Sequence, residues 1–238
     1  MISLVIPVYN EEKIIRNTIE SVKIFMDENF GSDYEFILVN DASRDNTLKI
    51  AESFTCENIK IISYEQNRGK GYAVRTGILA ASGGIIFFTD CRLPYGLDVI
   101  REGQAILEKN KEADILIGSR RKHKEGYASY SFLRKIMSLT FFCVLRFYGG
   151  LNQTDSQSGI KGFRREAVEP IFKFCKIDGW TFDFEILLIA QKLGYKIIEM
   201  PVKIINHAGE SKISPIKDSI KMLKDVSKIK KRVKKIFK

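Results

Sequence analysis

Cysteine and histidine are too few and too scattered in this 238-residue chain to staple it or to build a metal centre. The four cysteines, Cys56, Cys91, Cys143 and Cys175, form no CxxC pair, and His123 and His207 cannot complete a zinc site with them. The thiols therefore read as reduced, cytosolic ones. Long apolar runs are missing too: the longest uncharged one in the later half, 136–145, is ten residues, whereas spanning a bilayer takes roughly 20. The opening run follows Met1 directly, with neither a basic segment before it nor a small-residue cleavage site after it, so it does not read as a signal peptide. A cytoplasmic protein that does not cross the membrane is expected. No GxGxxG follows that run either, which argues against a dinucleotide-binding dehydrogenase.

What is present is a well-supplied core and an uneven charge. Hydrophobic residues make up 45% of the chain, enough for one substantial domain. The net charge is +10, and from Lys212 onward eleven Lys or Arg face only Asp218 and Asp225, so nearly all the excess lies in the tail. The rest is close to neutral and is no surface for coating nucleic acid.

Short runs rich in Ile, Val and Phe at 3–8, 36–40, 59–64, 85–89 and 115–118 have the composition of buried parallel strands. Helical patterns at 11–27, 45–54, 71–81 and 97–108 alternate with them, the rhythm of a doubly wound α/β sheet, which collects ligands beyond the carboxyl ends of its strands. Polar residues stand at those ends: Tyr9, Asn10 and Glu11, then Asp41 and Ser43, then Asp90, then Ser119 and Arg120. Further on, helices are expected at 166–174 and 182–193 and a strand at 197–205. In the tail, Ile216, Ile220, Leu223, Val226, Ile229, Val233 and Ile236 recur at threes and fours, which predicts an amphipathic helix over 215–237.

Seven elements in order carry a resemblance: Val5 to Glu11, Val39 to Thr47, Asn67 to Gly71 with Gly77, Thr89-Asp90, Ile117 to Arg120, Asp155 to Phe163, and Gly209 to Lys212. Together they resemble the family-two glycosyltransferases of the GT-A fold, especially the branch that transfers hexoses to dolichyl or undecaprenyl phosphate. The resemblance implies a mixed α/β sheet flanked by helices, with a GT-A domain at 1–212 and a basic tail helix at 213–238. The nucleotide-sugar-binding half would be 1–120 and the acceptor half 121–212. It implies a UDP- or GDP-linked sugar donor whose base and ribose lie against Pro7, Tyr9, Glu11 and Asp41, with Lys70 and Gly71 near the nucleotide. The plainer reading of these residues stays open: Pro7 ends a strand, Asp41 begins an Asx turn, and Asp45 or Thr47 caps a helix.

The family's DxD motif uses two carboxylates to hold Mg²⁺ or Mn²⁺ on the diphosphate. Here it reads Asp90-Cys91-Arg92, with a cation at the second carboxylate position. Three readings follow. Asp90 alone holds the metal, Arg92 replaces it by bidentate contact with phosphate, or the protein is catalytically impaired.

On the acceptor side the resemblance places Arg120, Arg134 and Ser138 near a polyprenyl phosphate, with Lys212 closing over phosphate; Arg134 and Lys135 could equally be a solvated helix face. Asp155, Gln157 and Lys161 resemble the element of the glucosyl-phosphate members, and Trp180 with Asp183 would stand near the sugar. Asp183 becomes a general base only if the acceptor is a hydroxyl, as in polysaccharide synthesis; the resemblance puts the Glu185 carboxylate near the sugar as well, the alternative being that Phe182 and Phe184 are core and Glu185 a helix-face charge. Aromatic and basic residues mixed over 132–148, together with the basic tail helix, point to peripheral attachment on an anionic membrane surface. A core helix at 132–148 and a tail packed on the domain are the alternatives.

Overall fold

The structure is a computed structural model describing residues 1–128, 130, 132–206 and 215–237, without the side chains of Leu133, Arg134 and 215–221. The chain runs β1 (Ile2–Val8), α1 (Ile15–Phe30), β2 (Tyr34–Asn40), α2 (Thr47–Glu52), β3 (Ile59–Ser63), α3 (Lys70–Ala80), β4 (Ile85–Thr89), α4 (Asp98–Lys109) and β5 (Ile115–Ser119). Then come α5 (Phe132–Cys143) with a π-helical continuation (Val144–Tyr148), β6 (Ile160–Arg164), α6 (Arg165–Phe172), α7 (Phe182–Lys192), β7 (Ile197–Pro201) and α8 (Pro215–Ile236).

One seven-stranded sheet is ordered β3-β2-β1-β4-β6-β5-β7. All its pairings are parallel except those of β6, which lies antiparallel between β4 and β5. The expected parallel rhythm thus holds through β5. β6 was not anticipated as a strand, because its sequence, IKGFR, holds a lysine and a glycine where a buried strand normally shows only apolar residues.

Side chains alternate across the sheet as the period of two demands. Val5, Ile86 and Phe88 join the core under α3, α6, α7 and α8, while Leu4, Ile6 and Phe87 join the one under α1, α2 and α4. β2 is buried at every position, Glu35 included. That carboxylate accepts hydrogen bonds from Ser3 Oγ at 2.6 Å, from Ser82 and from Lys60 Nζ at 2.9 Å. Burial alone would raise its pKa, but these donors outweigh burial and bring it down to about 2.

The tail helix is part of this body. Val226, Ile229 and Val233 are buried in the core shared with α7, at ~1.5–3 kcal/mol for each such side chain. Lys224, Lys228, Lys231 and Lys235 are exposed on the other side. Among the described side chains of the apolar stripe, Val226, Ile229 and Val233 thus face the domain, while Leu223 and Ile236 stay exposed.

Candidate active site

Among the described residues, three other than glycine adopt left-handed backbone, Asn10 (φ 52°), Ala42 (φ 56°) and Leu93 (φ 47°), and each lies just beyond the carboxyl end of a strand, β1, β2 and β4 respectively. Such conformations cost of order 1–3 kcal/mol and cluster where a chain must turn tightly around a site. They mark this edge as the working edge of the sheet.

Asp41, just beyond β2, is buried, and its carboxylate is filled by one loop. Oδ1 accepts from Tyr64 Oη (2.9 Å) and Arg68 N–H (2.8 Å); Oδ2 accepts from Asn67 Nδ2 (2.9 Å) and Gly69 N–H (2.9 Å). The residue expected to touch base or ribose therefore shapes the 64–69 loop. On its far side that loop meets the 176–181 segment: Gly71 N–H donates to the Asp178 carbonyl at 2.7 Å, and a Cβ on Gly71 would stand 2.6 Å from the Ile177 carbonyl oxygen. Gly69 (φ +100°) faces the Asp178 carbonyl just as closely. Gly71 is a packing glycine, and Lys70 is presented from a loop gripped on both sides.

Lys70 Nζ lies 2.5 Å from Asp90 Oδ1 and 5.5 Å from the Trp180 ring. Burial by itself would lower the Lys70 ammonium, but Asp90 and Asp183 outweigh it and hold it charged, above an ordinary lysine. Cys91 turns inward under Thr18, where burial pushes its thiol up to about 12. Arg92 is partly exposed, and its Nη2 sits 2.9 Å from Glu11 Oε2. Each carboxylate at this corner, Asp90 and Glu11, thus already carries a cation. Among the described residues no group of three or more His, Cys, Asp or Glu could hold a metal ion. This donor set does not fit the two-carboxylate site of a DxD motif: hard cations want several oxygen ligands, and here an ammonium and a guanidinium stand in the way.

The loop 155–159 links this corner to the end of β5. Gly159 lies against Asp90, where a Cβ would stand 2.5 Å from Oδ2. Asp155 clamps Arg120 in a fork, Nε to Oδ2 at 2.6 Å and Nη2 to Oδ1 at 2.7 Å, and the remaining nitrogen donates to Tyr130 Oη at 2.7 Å. Arg120 also forms one wall of a cavity of about 400 Å³ shared with Arg121, His123, Lys124, Tyr127, Ala128 and Lys135. Ser138 is one turn beyond Arg134 on α5, and its Oγ lies 3.4 Å from Tyr127 Oη. The side chain of Arg134 and the whole of Lys212 lie outside the described residues. Pro7 is on β1 paired with Val39, and Tyr9 follows that strand's end.

Asp183, at the start of α7, is buried against Lys161 Nζ at 2.5 Å, and Lys161 has no exposed surface at all. Burial drives Asp183 up and Lys161 down, against the attraction of each for the other. Neither Lys161 nor its pairing was read as a buried ion pair from the sequence. Glu185 is no solvated helix-face charge: it is fully buried, accepting from Lys176 N–H (2.9 Å) and Ile177 N–H (2.8 Å) and pairing with Arg232 of α8. A charge among apolar neighbours on a helix gave no sign of partners that distant in sequence.

The profile described as Glycosyl transferase family 2 matches residues 3–172. The chain belongs to glycosyl transferase family 2. Among curated relatives of this family-two chain, a dolichyl-phosphate beta-glucosyltransferase from Dictyostelium discoideum is 33% identical over 240 residues, covering 96% of this chain and 73% of the relative. The same-named proteins of Saccharomyces cerevisiae (34% over 244 residues, 94% and 72% covered) and Homo sapiens (31% over 239 residues, 94% and 73%) are similar. Glucosyl-3-phosphoglycerate synthase from Mycobacterium tuberculosis, solved with UDP, shares the fold at a TM-score of 0.70 and 20% identity, covering 98% of this chain and 80% of that one. A structure of the synthase with Mn²⁺, UDP and phosphoglyceric acid gives 0.65 and 19%, covering 98% and 78%. The family-two sheet is therefore the GT-A-like fold that the motifs implied, and the chain is a transferase of the glycosyltransferase class. Among its described residues no helix is long and apolar enough to cross a membrane.

Proposed function

We propose that this family-two enzyme moves glucose from UDP-glucose to a polyprenyl phosphate on the cytoplasmic surface of a membrane. The observation that carries the reading is the cavity beside Arg120, walled by Arg121, His123, Lys124 and Lys135 and joined to Asp90 through the 155–159 loop. A pocket of that sign suits an acceptor that arrives as an anion. Its neighbour argues the same way: Asp183, the one carboxylate assigned as a base for a hydroxyl acceptor, is sealed by Lys161. The names of the dolichyl-phosphate beta-glucosyltransferase relatives and the UDP in the structural neighbour favour the same pair of substrates.

A phosphate oxygen of the acceptor attacks the anomeric carbon as the bond from that carbon to the UDP oxygen breaks. The configuration inverts, and the leaving diphosphate takes the bonding electrons. No proton need move, so the protein's work is positioning and charge stabilisation. Arg92 and Lys70 supply that charge at the diphosphate, with Glu11 and Asp90 holding them in place until it arrives, and reliance on Mg²⁺ or Mn²⁺ is correspondingly weak. Asp41 acts by shaping the nucleotide wall. Peripheral attachment comes from the outward lysines of α8 and from Phe132, Ile136, Leu139 and Phe147, which are exposed along α5 and its continuation.

The experiment is incubation of the full chain with radiolabelled UDP-glucose and dolichyl or undecaprenyl phosphate, with EDTA or with Mn²⁺. Label entering the organic phase as an acid-labile lipid is the expected result. Label on added saccharide instead would overturn the acceptor assignment, and UDP-glucose binding without turnover would make the Arg92–Glu11 pair a block and the protein a silent binder.

A further inference from the structure

Glu185 is a carboxylate with no exposed surface, and such a group persists only where partners replace the water it has lost. Its partners join two ends of the molecule. On one side is the guanidinium of Arg232 in the tail helix; on the other are the backbone N–H groups of Lys176 and Ile177, where the 176–181 segment begins. The next residue, Asp178, takes Gly71 N–H on its carbonyl, and its carboxylate holds Arg75 at 2.5 Å and Arg68 at 3.8 Å. With no space for a Cβ on Gly69 or Gly71, the two backbones meet directly, and Lys70 between those glycines reaches Asp90. The tail touches the same segment once more, Asp225 near Thr181 Oγ1 at 3.5 Å, and just ahead of it Phe237 lies edge-on to Phe174 at 5.2 Å.

We propose that Arg232 is a positioning residue for the donor site: through Glu185 and the 176–178 backbone it sets where Lys70 stands, so the basic tail helix is a working part of the nucleotide-sugar pocket. This rests on the reading that the diphosphate lies at Lys70 and Arg92. Without its cation Glu185 must either take a proton or draw in water, and in both cases its grip on the two N–H groups loosens. The charge-assisted hydrogen bonds to those groups are the stronger kind, and they fix the backbone of 176 and 177 directly ahead of the Asp178 carbonyl that meets Gly71. Lys70 then loses its backing rather than its charge.

The chain contains a single tryptophan, Trp180, within that segment and over Lys70, so its emission reports the segment's position without any need for turnover. Arg232→Met, Arg232→Lys and the double variant Glu185→Gln/Arg232→Met are compared with wild type by thermal melting, Trp180 emission, calorimetric titration with UDP, and kcat and KM for UDP-glucose. Arg232→Met should shift Trp180 emission to the red and weaken UDP by ~10-fold, raising KM while kcat stays within about threefold. Arg232→Lys, which keeps the charge, should recover most of the affinity. If Arg232→Met does not fold, the double variant, which buries no unpaired charge, carries the test: it should melt close to wild type and still bind UDP weakly. A folded Arg232→Met or double variant with wild-type emission and wild-type UDP affinity overturns the proposal, and so does a fall in melting temperature with affinity unchanged. Wild-type protein that binds neither UDP nor UDP-glucose at millimolar concentration would instead sink the donor-site reading beneath it.

Discussion

Replacing Arg92 by aspartate restores the second carboxylate of a DxD motif and reverses the charge beside Glu11. A unit charge about 4 Å from a phosphate oxygen is worth ~4 kcal/mol at the effective dielectric of a protein surface. Arg92 is 36% exposed, so solvent screening roughly halves this to ~2 kcal/mol. Reversing the sign doubles it again, to ~4 kcal/mol, or a loss of ~1000-fold in kcat/KM for UDP-glucose without metal. Added Mn²⁺ should then return much of the loss, since Asp90, Glu11 and the introduced carboxylate would offer a dication the oxygens it lacks in the native corner. The assay is lipid-extractable label in EDTA and across a Mn²⁺ titration, for both proteins. Wild type should keep most of its activity in EDTA, and Arg92→Asp should become metal-dependent. Abolition of wild-type activity by EDTA, with Mn²⁺ restoring it, would refute the view that Arg92 and Lys70 neutralise the diphosphate.

Other consequences follow from particular groups. Glu35 titrates near 2 when folded against 4.5 unfolded, so it contributes about 3 kcal/mol that is fully present above pH ~4.5 and is lost as pH falls toward 2. Glu35→Gln should thus lower urea-unfolding stability by that order at neutral pH, with the gap to wild type closing in acid; a gap independent of pH would contradict the assignment. Asp183→Asn should melt earlier, by ~3–5 kcal/mol for a buried Lys161 left unpaired, yet keep kcat for polyprenyl phosphate within about tenfold, short of the 10²–10⁴ typical of removing a general base. Charge reversal of Lys224, Lys228, Lys231 and Lys235 together should release the protein from anionic vesicles, at ~1 kcal/mol for each, without lowering its melting temperature; sedimentation with the vesicles as before would dismiss α8 as an electrostatic anchor. Deletion of the whole tail is a poorer test, because it would strip Val226, Ile229 and Val233 from the core and orphan Glu185.

The parallel half of the sheet was legible because a strand buried on both faces has an unmistakable composition, and β1, β2 and β4 carry little else. β6 escaped notice because Lys161 and Gly162 break that composition. Besides the nearby Ser158 carbonyl, Lys161 is admitted by a carboxylate 22 positions later, a pairing that tertiary structure alone creates. Arg92 was plainly anomalous in its motif, but its partner Glu11 is 81 positions away, and no spacing rule connects a strand end to another strand's end. Glu185 is the clearest failure of local reasoning, since its ligands are two backbone amides and an arginine 47 positions on. Asp41 stands out in the sequence at a strand end, while the hydrogen bonds that occupy it come from a loop whose path one sequence does not disclose.

β6 also bears on how the chain is made. β4 finds β1 as soon as both exist, but β5 pairs only with β6 and β7, both of which come later. During synthesis the β5 hydrogen-bonding groups must wait, bare, until residue 164 has cleared the ribosome. A released fragment ending at residue 150 should therefore leave 115–119, which have neither β6 nor β7 to pair with, open to protease cleavage.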